Sequence, residues 1–535
     1  MPGWNFATVW DGIADIVPGR DALVCGDTRV SWGAFAARAT HLARWMHDVA
    51  GVGRGDKVAI DLTNRPEYLE TFYAALKLGA VPCNVNFRYQ APEVAYVLGN
   101  SDAKVVVHGP QFTEVVTEAI ATMEGDARPV ALEVGAPYET AWADGAAAGT
   151  IASWAPPAPD GDDLIFLYTG GTTGMPKGVM WRNDDLYRAL WASGHPKRPE
   201  PPDPFEAARA GKRAATVLPA APLMHGTGLF SSLSVLAGAG TVVLIDRPGL
   251  DAELLWDTVA REQVQLVTIV GDVFARPMLA ALEEHPGRWD LSGLRAIQSS
   301  GVIFSPQVKQ GLIAALPGLT IVDSLGASEG LGPRHTSDAS EEKLESATFR
   351  VSDRVRVIDP DTGLDVEPGS DVQGLVAMTG NIPVGYYKDP QKTAATFPTW
   401  GGVRYSVPGD HATVDADGTV RLLGRGSACI NTGGEKVFPE EVEAEVRQHP
   451  SVFDCLVVGV PDERFGERVV ALVQLAPGET LDEPALTEWC RRSLAHYKAP
   501  RRFLAVDSLD RSAAGKANYT AMKRRAADLL AAEPG

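Results

Sequence analysis

Between positions 168 and 178 the chain reads Tyr168-Thr169-Gly170-Gly171-Thr172-Thr173-Gly174-Met175-Pro176-Lys177-Gly178, its densest set of groups able to hold an anion. The glycines let the backbone fold closely around a ligand, while exposed amides and threonine hydroxyls supply donors. Lys177 adds a point charge suited to phosphate. The pattern GxxxxGK followed by serine or threonine is absent, so a phosphate cradle here is of another kind. A plain flexible loop has the same composition. A second candidate is Gly326-Ala327-Ser328-Glu329-Gly330, which fits GxSxG, the nucleophile elbow of serine hydrolases. His335, His411, His449 and His496 follow it. The elbow needs a helix directly after the serine, and Gly330-Leu331-Gly332-Pro333 breaks one. None of the ten histidines lies in HExxH, so metal hydrolysis has no anchor.

The elements that must position these groups follow from composition and periodicity. The 535 residues suggest roughly three to four units of about 150 residues each. Apolar residues are 45%, enough for each unit to bury a core. The 49 basic and 68 acidic residues give a net charge of −19. That field repels phosphate backbones and argues against nucleic-acid binding, though a local basic pocket for one small anion is compatible with it. The 54 glycines and 38 prolines suit a loop-rich enzyme better than a coiled coil. Five cysteines without CxxC spacing read as reduced thiols, with no disulfide frame or zinc site. No basic segment followed by an apolar one opens the chain, and the most apolar stretch, 229–245, is diluted by serine and glycine. The reading is a soluble cytoplasmic protein with no transmembrane segment.

Through the first four hundred residues short β-branched runs alternate with helical patterns. Segments 104–108 and 265–270 read as strands, followed by helices over 112–123 and 275–284. A strand at 294–297 precedes a helix opened by Ser305-Pro306, an N-cap followed by proline. This alternation predicts largely parallel, doubly wound sheets. From Val355 the texture changes to short strands, 355–359 and 374–378, around a turn-rich stretch, as in an antiparallel or barrel-like unit. After Gly424-Arg425-Gly426-Ser427 comes a compact α+β tail, with a helix opened by Pro439 and another over 484–494. The expected domains are 1–425 and 426–535. Segment 196–204 reads as a surface loop, and 196–213 as either a cover for a pocket or a solvated loop.

The 168–178 segment closely resembles the phosphate-binding signature of the adenylate-forming superfamily, which holds acyl-CoA synthetases, luciferases and peptide-synthetase adenylation domains. The resemblance recurs in order along nearly the whole chain. Ala80-Val81-Pro82-Cys83-Asn84-Val85-Asn86 is similar to the early core motif, and Ala221-Pro222-Leu223-Met224-His225 to the segment gating the acyl pocket. Asp323-Ser324-Leu325-Gly326-Ala327-Ser328-Glu329 resembles the adenine and magnesium motif. Gly409-Asp410 with Asp415-Ala416-Asp417-Gly418 resembles the ribose segment. Gly424-Arg425 and Gly433-Gly434-Glu435-Lys436-Val437-Phe438-Pro439-Glu440-Glu441 resemble the hinge and thiol-acceptor region, and Ser512-Ala513-Ala514-Gly515-Lys516 the catalytic-lysine motif.

The resemblance implies an α/β fold: a large N-terminal domain of doubly wound sheets with a β-barrel-like subdomain, and a small mobile α+β C-terminal domain. It implies a two-step ligase using ATP, Mg2+ and coenzyme A. A carboxylic acid attacks the α-phosphate of ATP to give acyl-adenylate and pyrophosphate; coenzyme A then takes the acyl group and AMP leaves. The nucleotide would meet Thr169, Gly170, Gly171, Thr172, Thr173, Gly174, Lys177, Ser300, Gly301, Ser324, Leu325, Gly326, Ser328, Asp410, Arg425 and Lys436. Glu329 would hold the magnesium ion, a hard cation that takes oxygen ligands. Asp410 would accept from the ribose hydroxyls, and His225 would gate the acyl pocket. Lys516 would place positive charge where it develops on the leaving oxygens. After rotation about Ser427, Gly433 and Gly434 would meet coenzyme A.

Four positions depart from the pattern: Gly170 where serine is commoner, Leu325 for the usual tyrosine, Ser427 for Asp or Lys, and Asn183 near a position often held by histidine. They bear on hinge energetics and nucleotide affinity. The acyl pocket is expected from 223–233, 270–274 and 299–304, with Gly226, Gly228, Gly271 and Gly301 leaving space and Phe230, Phe274 and Phe304 lining it. Those segments hold no lysine or arginine, so dicarboxylates fit poorly. Gly271-Asp272-Val273-Phe274, Ser299-Ser300-Gly301 and Arg404-Tyr405-Ser406-Val407-Pro408-Gly409-Asp410 resemble a branch acting on long-chain or steroid side-chain acids. Peripheral contact with a membrane suits such acids; oligomeric state is left open. Rival readings are an adenylating enzyme with another acceptor (a carrier protein, or luciferase-like chemistry) and the GxSxG hydrolase. The chain ends soon after Lys516, which favours a free-standing ligase. A binding protein that had lost the chemistry would be expected to lack Lys516, Glu329 or Lys177, and all three are present.

Overall fold

The computed structural model describes residues 3–125, 128–147, 158–169, 175–195, 197–211, 215–301, 304–340, 348–350, 352–360, 362–370, 372–425, 429–432, 435–462, 466–494, 496–511 and 517–532. Among them four sheets form. The first has the spatial order Gly330–Ser337, Thr320–Ala327, Ala296–Ser300, Leu266–Ile269, Thr216–Pro219, Thr241–Leu244, Asp21–Cys25 and Thr28–Ser31, parallel in the middle with an antiparallel hairpin at each edge. The second runs Gly385–Tyr386, Lys177–Arg182, Leu164–Thr169, Val81–Asn84, Lys57–Asp61, Ala103–His108 and Val130–Glu133. Four consecutive parallel pairs make up most of it. The doubly wound expectation holds.

Parallel strands must be covered on both faces, and the β-branched runs show it. Val105, Val106 and Val107 are all fully buried, alternate members facing opposite helix layers. Helices Phe6–Ile16, Pro66–Lys77 and Gly226–Ala237 lie in a layer shared by both sheets, so Pro66–Lys77 is buried almost all round. Its charged side chains therefore need partners. Glu70 accepts from Arg38 at 2.7 Å and from the Tyr138 hydroxyl at 3.0 Å, and Lys77 pairs with Asp11. Helices Ala252–Glu262, Gly271–Glu284 and Pro306–Ala315 cover the outer face of the first sheet, and Ala91–Ser101 with Thr113–Thr122 that of the second.

The third sheet is antiparallel, as its short strands predict, with Val355–Ile358 paired to Gly374–Thr379. Sheet membership changes between Arg425 and Ile430. The fourth sheet combines Val452–Asp462 and Gly466–Leu475, with helices Pro439–Val446 and Glu483–Ser493 on one face and Tyr519–Ala532 on the other. The result is the expected large N-terminal domain and small C-terminal domain. No helix among the described residues is long and apolar enough to cross a membrane.

Three local expectations change. The helix placed at 275–284 begins at Gly271, whose φ of +53° turns the chain directly from the strand into the helix. Ser305 stands at an N-cap, yet its hydroxyl caps nothing; its amide donates to Asp272 at 2.9 Å instead. Part of the stretch at 196–213 is helix Pro204–Arg209, which docks on Phe6–Ile16 with Phe205 against Gly12.

One buried group makes stability depend on pH. Asp61 ends a central strand, is 1% exposed, and its Oδ1 has no hydrogen-bond partner among the described residues. Burial pushes its carboxyl up to about 7. The folded state thus holds a proton that the unfolded chain releases near pH 4, and stability falls as pH rises from about 4 to about 7. Asp61→Asn is expected to remove that slope, about 1.4 kcal/mol per pH unit at its steepest. Urea unfolding between pH 5 and pH 8 checks it; an unchanged slope would contradict it.

Candidate active site

The phosphate-loop residues that are described stand at the ends of two antiparallel strands, with Thr169 opposite Lys177. Gly170, Gly171, Thr172, Thr173 and Gly174 lie outside the described residues. Lys177 Nζ is 2.7 Å from Asp389 Oδ2, which holds that carboxyl below its usual range, and lies 5.8 Å from the ring centre of Tyr386. The Tyr386 hydroxyl donates to Glu329 Oε1 at 2.7 Å. Backbone anchors fix the same turn: Ser406 Oγ donates to the Glu329 carbonyl at 2.5 Å, and Trp181 Nε1 to the Ser328 carbonyl at 2.8 Å. Three sheets meet there. Lys177, Trp181 and Tyr386 come from the second, Ser406 from the third, and Glu329 from the hairpin turn of the first.

That hairpin decides the hydrolase reading. Ser328 sits between two antiparallel strands, Thr320–Ala327 and Gly330–Ser337, where an elbow requires a strand followed by a helix. A nucleophile elbow is absent at this serine.

Asn84 ties strand Leu164–Thr169 to the segment that ends at His225. Its amide accepts from Tyr168 N at 2.6 Å and donates to Tyr168 O at 2.9 Å and Met224 O at 2.7 Å, all within the core. Asn64 fixes the start of the same segment, bonding Pro219 O, Ala221 O and Leu223 N. His225, partly exposed, is the N-cap of helix Gly226–Ala237. Asn84→Ala would strand three buried backbone groups and is expected to cost about 2–4 kcal/mol. Guanidinium unfolding checks this, and a loss below about 1 kcal/mol would contradict the clamp.

Asp410 and Arg425 face each other across neighbouring antiparallel strands, with Gly409 at φ +98° turning the chain into the Asp410 strand. Lys436 lies on strand Glu435–Val437. Ser427, Gly433, Gly434 and Lys516 lie outside the described residues. Leu325 is buried, packed with Phe349, Val376 and Met378 of the third sheet. Asn183, fully buried, donates to Asp163 O at 2.8 Å and supports the fold.

The expected acyl-pocket residues divide. Phe230 belongs to the core between the two large sheets, whereas Phe274 and Phe304 pack on the other face of the first sheet. The structure does not bring them onto one wall. Two glycines read as pocket space have other causes: a side chain on Gly228 would strike the Ala221 and Pro222 carbonyls, and Gly271 is held at positive φ. Next to Gly226 stands the Phe230 ring. On the face of the first sheet that carries helix Gly226–Ala237, Thr227 Oγ1 meets Ser300 Oγ at 2.8 Å and Ser231 Oγ meets Thr268 Oγ1 at 3.0 Å. Ser300 is paired to Ser324, and Ser324 to Arg334, so both share that face. Gly326 sits opposite Leu331 in the same hairpin, and Gly301 has φ +85°.

Sequence reasoning missed Tyr386, Ser406, Trp181 and Asp389. Their contacts join segments far apart in the chain, and only Ser406 lay inside a quoted motif.

The family model of AMP-binding enzymes matches residues 13–387, and that of the AMP-binding enzyme C-terminal domain matches residues 441–516. The chain belongs to the AMP-binding enzyme family. It is 40% identical over 534 residues to a medium/long-chain-fatty-acid–CoA/3-oxocholest-4-en-26-oate–CoA ligase of Mycobacterium marinum, covering 96% of this chain and 95% of that protein. It is also 40% identical over 530 residues to a 3-oxocholest-4-en-26-oate–CoA ligase of Rhodococcus rhodochrous, covering 96% and 94%. The fold matches the anthranilate CoA ligase AuaEII in complex with anthranoyl-AMP at a TM-score of 0.82, with 22% identity and coverage of 100% and 99%. This AMP-binding enzyme is an acid–thiol ligase, an AMP-forming acyl-CoA synthetase that uses ATP and coenzyme A.

Proposed function

We propose that the acid activated here is a bulky apolar carboxylic acid, a medium- or long-chain fatty acid or a steroid side-chain acid. The observation that carries this reading is the full-length similarity to ligases named for those acids, joined to a nucleotide end in which Lys177 and Glu329 converge on Tyr386. In the first step the acid's carboxylate attacks the α-phosphate and pyrophosphate departs. Two anions must meet, so the site has to supply positive charge. Lys177 exchanges Asp389 for the phosphates, and Lys516 reaches the reacting oxygens. Asp410 holds the ribose, with Arg425 beside it.

Glu329 fits a magnesium ion carried by the nucleotide. No cluster of three or more metal-ligating side chains occurs among the described residues, and nucleotide-bound magnesium needs only one or two carboxylates besides phosphate oxygens. Tyr386 engages Oε1 of Glu329, which orients the carboxylate. When bound, the ion would offset part of the phosphate charge.

In the second step residues 426–535 rotate about Ser427, Lys516 withdraws, and Gly433-Gly434 comes to the mixed anhydride. The thiolate of coenzyme A attacks the acyl carbon and AMP leaves. One site thereby serves two transition states of different charge distribution. The five cysteines, none in a CxxC pair, fit a reducing cytoplasm.

Steady-state kcat/KM across short, medium, long, aryl and steroid side-chain acids tests the substrate class. Long-chain or steroid acids should exceed acetate and benzoate by about a hundredfold, the scale several extra methylenes in an apolar pocket can give. An aryl or short acid as the best substrate would overturn it.

A further inference from the structure

The hairpin behind Glu329 carries two polar groups that find no partner among the described residues. Arg334, on strand Gly330–Ser337, is largely withdrawn from solvent, and no hydrogen bond or ion pair joins its guanidinium to the described residues. Burial pulls it below its ordinary value, and no carboxylate acts in the opposite sense. Directly opposite, across the antiparallel pair, stands Ser324, whose buried hydroxyl also has no partner among the described residues. Paired residues on neighbouring strands project to the same side of a sheet. Ser300, Ser324 and Arg334 therefore form one row on the face that carries helix Gly226–Ala237, fixed by the Thr227–Ser300 bond. Asp323 and its partner Lys309 lie on the opposite face. The row is satisfied at Ser300 and open at Ser324 and Arg334.

Position along the strand adds a length. Four residues separate Gly330, beside Glu329, from Arg334, about 13 Å at roughly 3.3 Å per residue. The guanidinium ends beside Gly194, the last residue of helix Asn183–Gly194, with Nη1 3.1 Å from where a side-chain carbon on Gly194 would sit. A helix C-terminus attracts a cation, but weakly, and no hydrogen bond to it forms among the described residues. A buried guanidinium needs acceptor oxygens with more charge or better geometry than that.

We propose that Arg334, with Ser324, binds an acceptor oxygen at the far end of the acid, a ring ketone or a second carboxylate remote from the carboxyl that is adenylated. This rests on the acid-activating reading above and refines it: the pocket selects acids that are apolar along their length and oxygenated at the distal end. It reverses two expectations: that Ser324 meets the nucleotide, and that the pocket, judged from segments that omit Arg334, has no cation.

The test uses the full-length enzyme and matched acid pairs: a steroid side-chain acid with and without a ring ketone, and hexadecanedioic against hexadecanoic acid. The wild type should prefer the oxygenated member of at least one pair by about tenfold or more in kcat/KM, because a site built to hydrogen-bond rejects analogues lacking the partner. Arg334→Met should erase that preference mainly through KM, leaving the unoxygenated member within about twofold of the wild type. Arg334→Lys, which keeps the charge, should retain part of it, and serves if the methionine variant fails to fold. A gain on the ketone arm and the diacid arm alike points to any acceptor oxygen; a gain on the diacid arm alone points to charge. Equal losses for both members of every pair, or no preference in the wild type, would overturn the assignment while the synthetase reading stands. If no acid in the set yields AMP and acyl-CoA, the synthetase reading itself fails and this inference with it.

Discussion

Replacing Lys516 by alanine should slow acyl-adenylate formation about 10²–10³-fold, the usual scale for removing a group aimed at developing charge. Thioester formation from supplied acyl-AMP should stay within about twofold of the wild type, because an interaction made in only one transition state affects only that step. The expectation follows from charge. The acid and the triphosphate are both anions, the protein's own net charge is −19, and Lys177, beside the phosphate loop, is engaged by Asp389. A second lysine, arriving with the C-terminal domain, supplies what the first step lacks. Measuring the half-reactions separately, by pyrophosphate release and by thioester yield from acyl-AMP, checks this. Equal loss in both would contradict the division of labour.

The second large effect is expected at Glu329. Glu329→Gln keeps the size of the side chain and its acceptor for Tyr386, but removes the negative charge facing the nucleotide. Adenylation should fall about 100-fold, and the magnesium concentration giving half-maximal rate should rise. Tyr386→Phe, which frees Oε1 without touching the charge, should cost less. Its loss is one hydrogen bond to a charged group, about 1.5 kcal/mol or roughly tenfold, at the low end of the usual range. A glutamine variant with wild-type rate and unchanged magnesium dependence would show that Glu329 only shapes the hairpin turn. The Ser406 and Trp181 bonds to the same turn make that alternative a real contrast, since they hold its backbone whichever side chain occupies position 329.

What could be read from the sequence was whatever the chemistry confines to a short stretch of chain. Phosphate binding demands glycines, hydroxyls and a lysine close together, so 168–178 stands out before any fold is known. The β-branched runs 104–108 and 265–270 became strands because parallel sheets bury both faces of such runs. That no helix follows Glu329 was also legible; Gly330–Ser337 is a strand. What could not be read depends on pairing between distant segments. Tyr386 reaches Glu329 from a two-residue strand that joins the second sheet fifty-seven positions later. Arg334 stands opposite Ser324 only because the hairpin carries a bulge between Ser324 and Gly326 that sets the register. Asn84 was part of a recognised motif, but its role appears only when Tyr168 and Met224 arrive on either side of it. The aromatic residues expected to line one pocket were separated by the sheet itself: Phe230 lies on one face, Phe274 and Phe304 on the other.

The central claim is that one site joins acid to coenzyme A through an adenylate. The most direct measurement incubates the purified full-length protein with ATP, magnesium, coenzyme A and a bulky apolar acid. Mass spectrometry then quantifies AMP, ADP, acyl-AMP and acyl-CoA over time, with and without the thiol. One AMP should form for each acyl-CoA, with no ADP, and acyl-AMP should stay on the enzyme when coenzyme A is left out. ADP in place of AMP, or acyl-AMP that accumulates and never becomes thioester when coenzyme A is present, would contradict it.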